Sequence, residues 1–136
     1  MPYVDTIIGT LPLDDPLTVA GATTLRDTAA VMARRGLTCV LVATEPAGLV
    51  TDHDLAAALA AGHGPDLLVE EIATRSPVRA PVDSTLLDAV TTMVDHRIRH
   101  LLVVDGAGRP QGVLSLVVAT QLLLDISVPF GPWPWP

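Results

Sequence analysis

Three short groupings in this 136-residue chain hold residue types that could do chemistry. Asp52, His53 and Asp54 are potential metal ligands, with His63 or His100 as more distant additions. Consecutive residues on a helix point apart, however, and no His-x-x-x-His or comparable spacing is present, so a metal site is not predicted. His96, Arg97, Arg99 and His100 form a cationic cluster where a helix C-terminus is expected, and positive charge is favoured there with or without a ligand. Thr51-x-x-Asp54 stands directly before an apolar run and is a capping-box variant, in which a hydroxyl and a carboxylate satisfy the first N–H groups of a helix. The chain has no Gly-x-Ser-x-Gly, Walker-type loop or locally supported Cys–His pairing, so no enzyme activity is predicted. Gly62 to Gly64 lacks the Lys and Ser/Thr of a phosphate-binding loop and reads as a turn. Cys39 is the single cysteine, which excludes an internal disulfide, and its apolar surroundings make it a small core residue.

Composition narrows the class. Hydrophobic residues make up 49% and charged residues 17%, which excludes a disordered chain. The length suits one compact domain or two small repeats sharing a core. Eight basic residues, all arginine, face 15 acidic ones, for a net charge of −7. Non-specific nucleic-acid binding needs the opposite balance. The N-terminus lacks the basic-then-apolar order of a signal peptide. The longest apolar tract, Val113 to Leu124, is broken by Ser115, Thr120 and Gln121 and falls short of a membrane span. The expectation is a cytoplasmic protein that engages neither membrane nor nucleic acid.

What must position these residues is a duplication. Sliding the chain against itself by about 61 positions lays Thr24-Leu25-x-Asp27 on Thr85-Leu86-x-Asp88, Met32 on Met93, Leu37 on Ile98 and Leu41-Val42 on Leu102-Val103. After a three-residue gap in the first copy, Gly48-Leu49-Val50-Thr51 matches Gly112-Val113-Leu114-Ser115. In each copy a Thr N-cap (Thr24, Thr85) with an Asp three residues on opens a helix. Its apolar positions, Leu25, Ala29, Met32 and Ala33 or Leu86, Ala89, Val90 and Met93, recur at helical spacing, and it stops near Gly36 or Arg97. Two strands follow, Cys39 to Ala43 and Gly48 to Thr51, then His100 to Val104 and Gln111 to Ser115. Asp105-Gly106-Ala107-Gly108 supplies hairpin chemistry in the second copy and Glu45-Pro46-Ala47-Gly48 a shorter turn in the first. A second helix closes each copy, from about Asp52 to Ala61 and from about Leu116 to Leu124. The fold class is α/β (α+β): two β-α-β-β-α repeats packed through their sheets with pseudo-twofold symmetry. The predicted organisation is a leader (1–16), repeat one (17–62), a linker with a short helix over Asp66 to Ala73 (63–76), repeat two (77–125) and a tail (126–136).

This ordered pair resembles a tandem of cystathionine-β-synthase-type (CBS) domains, the Bateman module. The resemblance rests on Thr85-Leu86-Leu87-Asp88-Ala89-Val90, on Ile98 to Asp105, on Gly112 to Ser115 and on Gly48 to Leu55, and it covers Leu17 to Leu124. It implies a regulatory module that dimerises and holds an adenine nucleotide (AMP, ADP, ATP) or S-adenosylmethionine in a cleft between repeats. The ligand would be regulatory, with no cofactor required, and its occupancy would be passed to an unknown regulated protein. The family signature, Ser/Thr-x-x-Asp, falls on Thr51 and Asp54: open N–H groups of the helix would meet a phosphate and the carboxylate would accept ribose hydroxyls. Carried over residue by residue, Pro77, Val78, Arg79 and Ala80 would line the base, Arg99 and His100 would face phosphate, and Leu49 and Thr38 would form the remaining wall. In the second copy Ser115 keeps the hydroxyl but Val118 stands where Asp54 does. A ribose hydroxyl facing Val118 would go unpaired at about 1–3 kcal/mol, so one competent cleft per chain is predicted. The alternative is a ligand-free structural dimerisation module in which Thr51 and Asp54 serve only as a cap.

The two ends remain. The leader is expected to pack on the repeats as an edge segment. The tail, Val128 to Pro136, holds three of the four aromatic residues, and its alternating Pro and Trp predict an extended segment that packs against the module or across a dimer, or recruits another protein.

Overall fold

The computed structural model describes residues 3–124, so the tail lies outside the described residues. The described residues form two compact units: residues 16–77, and a second unit in which residues 3–15 join residues 78–124.

The first unit runs β1 (Thr18–Ala20), α1 (Leu25–Arg35), β2 (Cys39–Ala43), β3 (Gly48–Thr51) and α2 (Asp52–Ala60). Its sheet is ordered β1-β2-β3. Strands β1 and β2 are parallel, which the crossover helix α1 makes possible, whereas β2 and β3 form an antiparallel pair with Cys39 opposite Thr51. Helix α1 starts where the Thr24 hydroxyl accepts from the Asp27 N–H at 3.1 Å. It stops at Gly36, whose φ of 64° is a left-handed conformation that a side chain disfavours. The buried face of α1 is Leu25, Thr28 and Met32, with Ala29 and Ala33 exposed. Thr28 displaces the expected alanines because its hydroxyl is satisfied internally, donating to the Thr24 carbonyl at 2.8 Å. Val19, Met32, Val40, Val42, Val50 and Val69 form the core of this unit.

The second unit repeats the order: β4 (Arg79–Pro81), α3 (Leu86–Asp95), β5 (His100–Val104), β6 (Pro110–Ser115) and α4 (Leu116–Leu123). Its sheet is ordered β4-β5-β6, with β4 parallel to β5 and β5 antiparallel to β6. At the β5–β6 turn Asp105 does the bonding, its Oδ1 accepting from the Ala107 and Arg109 N–H groups at 2.9 Å each. Gly108, with φ 78°, supplies the left-handed residue. Ile8, Leu86, Met93, Leu101, Val103, Leu114 and Ala119 lie at the centre of its core.

The segments preceding each repeat are more than edges. Ile8 is fully buried within the second unit, in a 3-10 helix over Ile8–Thr10. The expected linker helix over Asp66 to Ala73 is reduced to a 3-10 turn, Val69–Glu71, whose Val69 is fully buried in the first unit. These two turns are counterparts at the same offset as the repeats. Val69 donates its N–H to the Thr23 carbonyl at 2.7 Å, and Ile8 donates to the Ser84 carbonyl at 2.9 Å. The first N–H groups of α1, at Leu25 and Arg26, donate to the carbonyls of Leu67 and Pro65; those of α3, at Leu86 and Leu87, donate to the carbonyls of Thr6 and Val4. A helix start carries N–H groups with no intrahelical acceptor. The linker supplies acceptors for α1, the leader for α3. Gly9 permits this approach, because a Cβ there would lie 2.8 Å from the Val82 carbonyl oxygen.

Candidate functional site

The residues proposed for a ligand fall into one group in each unit. In the first unit, Thr51 ends β3 and is the N-cap of α2, and Asp54 is the third residue of that helix. The Asp54 N–H donates to the Thr51 hydroxyl at 3.2 Å, and the Thr51 N–H donates to Asp54 Oδ2 at 2.9 Å. The capping box is therefore closed in both directions. Both residues are half-buried. Leu49 lies within β3, buried and paired with Leu41, and exchanges two 3.0 Å backbone hydrogen bonds with Thr74. Thr38 directly precedes β2, exposed, and its carbonyl accepts from the Asp52 N–H at 2.9 Å. That bond ties the turn before β2 to the first residue of α2, so Thr38 and Thr51 flank one helix start.

The open N–H groups expected at this helix start are already used. The Asp52 N–H donates to Thr38, the His53 N–H to Asp52 Oδ1 at 2.8 Å, and the Asp54 N–H to Thr51. With two carboxylates also in the first turn, the α2 terminus is no cradle for a phosphate. The reason is the density of local acceptors, Asp52 and Asp54, which favour the positive end of the helix dipole themselves. What remains is acceptor capacity: a carboxylate offers four lone-pair sites, and the box occupies one of them on Oδ2. The arrangement suits donors, such as a pair of sugar hydroxyls.

In the second unit, Val78 directly precedes β4 and Arg79 opens it, exposed and paired in register with Leu102. Ala80 turns its side chain into the core of its own unit, which leaves the main chain as its means of contact. Pro77 is the buried last residue of the first unit. His100 begins β5, half-buried and opposite Ser115. Arg99 is exposed, and its carbonyl accepts from the Leu116 N–H at 2.8 Å, the counterpart of the Thr38–Asp52 bond. Ser115 caps α4 by accepting from the Val118 N–H at 3.1 Å, and the half-buried Val118 offers no acceptor in return. The cap survives in the second copy and the carboxylate does not.

The capping box read from Thr51-x-x-Asp54 is closed in the structure, but its sequence does not separate it from two like patterns. Thr24-x-x-Asp27, Thr51-x-x-Asp54 and Thr85-x-x-Asp88 have the same pattern, yet of these three only Asp54 returns the bond to its cap. Asp27 and Asp88 are exposed, whereas Asp54 is half-buried where β3 runs into α2.

Two repeats of this fold, each with a hydroxyl N-cap where the last strand enters the last helix, define a class. The chain belongs to the CBS-domain family, whose pattern matches residues 8–61 and again 69–117. Over 120 residues it is 36% identical to the CBS domain-containing protein CBSCBSPB3 of Arabidopsis thaliana, covering 85% of this chain and 21% of that protein. The chain thus spans about a fifth of that relative's length. Among solved structures it resembles the CBS domain pair of protein MJ0100, solved with 5-methylthioadenosine and S-adenosyl-L-methionine. The TM-score is 0.77 at 22% identity, over 90% of this chain and 98% of that one. It also resembles the CBS domain protein PAE2072 of Pyrobaculum aerophilum, complexed with AMP. There the TM-score is 0.75 at 24% identity, over 87% and 95% of the two chains. Among the described residues no helix is long and apolar enough to cross a membrane.

Proposed function

We propose that this chain is a regulatory CBS pair that binds one adenosyl ligand, an adenine nucleotide or S-adenosylmethionine, and passes its occupancy to a partner. The observation that carries the reading is the Thr51–Asp54 box: a half-buried carboxylate, fixed by the Thr51 N–H, with acceptor capacity left for a ribose. The complexes of MJ0100 with methylthioadenosine and S-adenosylmethionine, and of PAE2072 with AMP, support the ligand class. On this reading Asp54 accepts the ribose hydroxyls and Leu49 and Thr38 flank the sugar. Pro77, Val78, Arg79 and the Ala80 main chain meet the base, and Arg99 with His100 carries the phosphate or the sulfonium ligand's carboxylate. The single Asp54, with Val118 in its place in the second copy, sets one ligand per chain. Two copies of the chain form the working unit.

Calorimetric titration with AMP, ADP, ATP and S-adenosylmethionine tests this. Binding at one site per chain, abolished in Asp54→Ala and retained in Asp88→Ala, is expected. Absence of binding by the native chain to all four ligands rejects the reading. The closed box itself favours the second reading, a ligand-free dimerisation module, because a cap of this form stabilises a helix with no ligand present. Under that reading Asp54→Ala changes only stability.

A further inference from the structure

The leader and the linker each cross their own unit at two places, and a glycine stands at every crossing. At the sheet edge the two units are alike. Asp14 exchanges backbone hydrogen bonds of 3.0 and 2.8 Å with Val113 of β6, and Thr74 exchanges bonds of 3.0 Å with Leu49 of β3. The glycine belongs to the strand each time: a Cβ on Gly112 would lie 2.7 Å from Leu13 Cβ, and one on Gly48 would lie 3.3 Å from Ala73 Cβ. At the helix start the two units are reversed. Gly9 of the leader donates its N–H to the Val82 carbonyl at 2.8 Å, and Glu70 of the linker donates to the Gly21 carbonyl at 3.1 Å. A Cβ added at Gly9 would lie 3.0 Å from Val82 Cβ, and one added at Gly21 would lie 3.1 Å from Glu70 Cβ and closer still to its carboxylate. At the repeat offset Gly9 corresponds to Glu70 and Gly21 to Val82, so one pair of positions carries its single side chain on opposite partners. Neither Gly9 nor Gly21 has a left-handed φ, so space rather than backbone conformation excludes a side chain there.

We propose that this reversal assigns each segment to its unit. The surface beside Val82 accepts a segment with glycine at the crossing, and the surface beside Gly21 selects one that brings a side chain. The linker docked on the second unit would set Glu70 Cβ against Val82 Cβ at the 3.0 Å found for Gly9, inside the ~3.5–4.0 Å at which carbon atoms pack. The leader docked on the first unit would set Gly9 over Gly21 and leave empty the space that Glu70 fills. One wrong pairing clashes and the other leaves a void, so an exchange of segments fails in both units at once. The rest of the docking surface does not discriminate. Ile8 and Val69 are both fully buried, and the acceptors at Ser84 and Thr23 are main-chain carbonyls at equivalent positions. Two copies of the chain could therefore trade these segments only like for like, leader for leader and linker for linker.

Urea unfolding of the full chain, followed by circular dichroism, tests this. Gly9→Glu with Glu70→Gly exchanges the residues carried by the segments, and Gly21→Val with Val82→Gly exchanges those carried by the surfaces. Each double variant is expected to unfold at a lower urea midpoint than the native chain, or not to fold at all. The variant with all four substitutions restores one side chain per crossing, and is expected to recover most of the native midpoint. A fourfold variant no more stable than either double overturns the proposal, because the four positions then contribute independently. Double variants that keep the native midpoint overturn it as well.

Discussion

At the residue scale, three identical Thr-x-x-Asp patterns have two local outcomes, a closed box at α2 and one-way caps at α1 and α3, and only geometry separates them. Thr51→Ala is expected to lower stability by about 0.5–2 kcal/mol through loss of the cap, measured by denaturant unfolding. If the ligand also leans on this helix start, the same variant binds more weakly, whereas Thr85→Ala loses stability alone. The chain reversal after each first helix offers a second comparison. Gly36 and Arg97 occupy equivalent turns at φ 64° and 55°. A side chain in that region costs about 1–2 kcal/mol, against an entropic gain of about 0.4–1 kcal/mol from restricting the unfolded chain. Arg97→Gly should therefore raise the unfolding midpoint and Gly36→Ala lower it. The opposite pair of shifts would show that the Arg97 side chain makes contacts worth more than its backbone conformation costs.

At the element scale, the sequence made the strands and helices legible because their periodicity and punctuation agree. The Thr caps, Gly36 and the Asp105 turn sit where the chain changes direction. The segments before each repeat were not legible. Their signal is faint: Asp5 aligns with Asp66, Ile7 with Leu68 and Ile8 with Val69. Their structure comes from backbone bonds to the starts of α1 and α3, which leave little trace in residue type. The linker was expected to be helical for the same reason: apolar spacing over Asp66 to Ala73 reflects one buried valine and its neighbours rather than a helical face. Because Ile8 is buried in the second unit, Ile8→Ala should cost about 2–5 kcal/mol. A fragment of residues 78–124 should stay unfolded by circular dichroism until a peptide of residues 3–15 is added. Folding of that fragment alone would show the leader to be dispensable.

At the scale of the whole molecule, the duplication is symmetric in backbone and asymmetric in chemistry. One repeat holds the Asp54 carboxylate, and the other has Val118 in its place. Ligand bound only to the folded chain at a hundredfold excess over Kd should add about 2.7 kcal/mol to stability, seen as a rise in the unfolding midpoint. Val118→Asp restores the missing acceptor beside Ser115, and is expected to raise the stoichiometry from one ligand per chain towards two. No second site in that variant would mean that the second repeat lacks more than its carboxylate.

The order in which the segments serve the units has a historical consequence. The stretch ahead of the first repeat completes the second, and the stretch ahead of the second completes the first. A single ancestral copy could have met the same need with the segment that follows it, as the linker does for the first repeat, or by trading leading segments between two polypeptides.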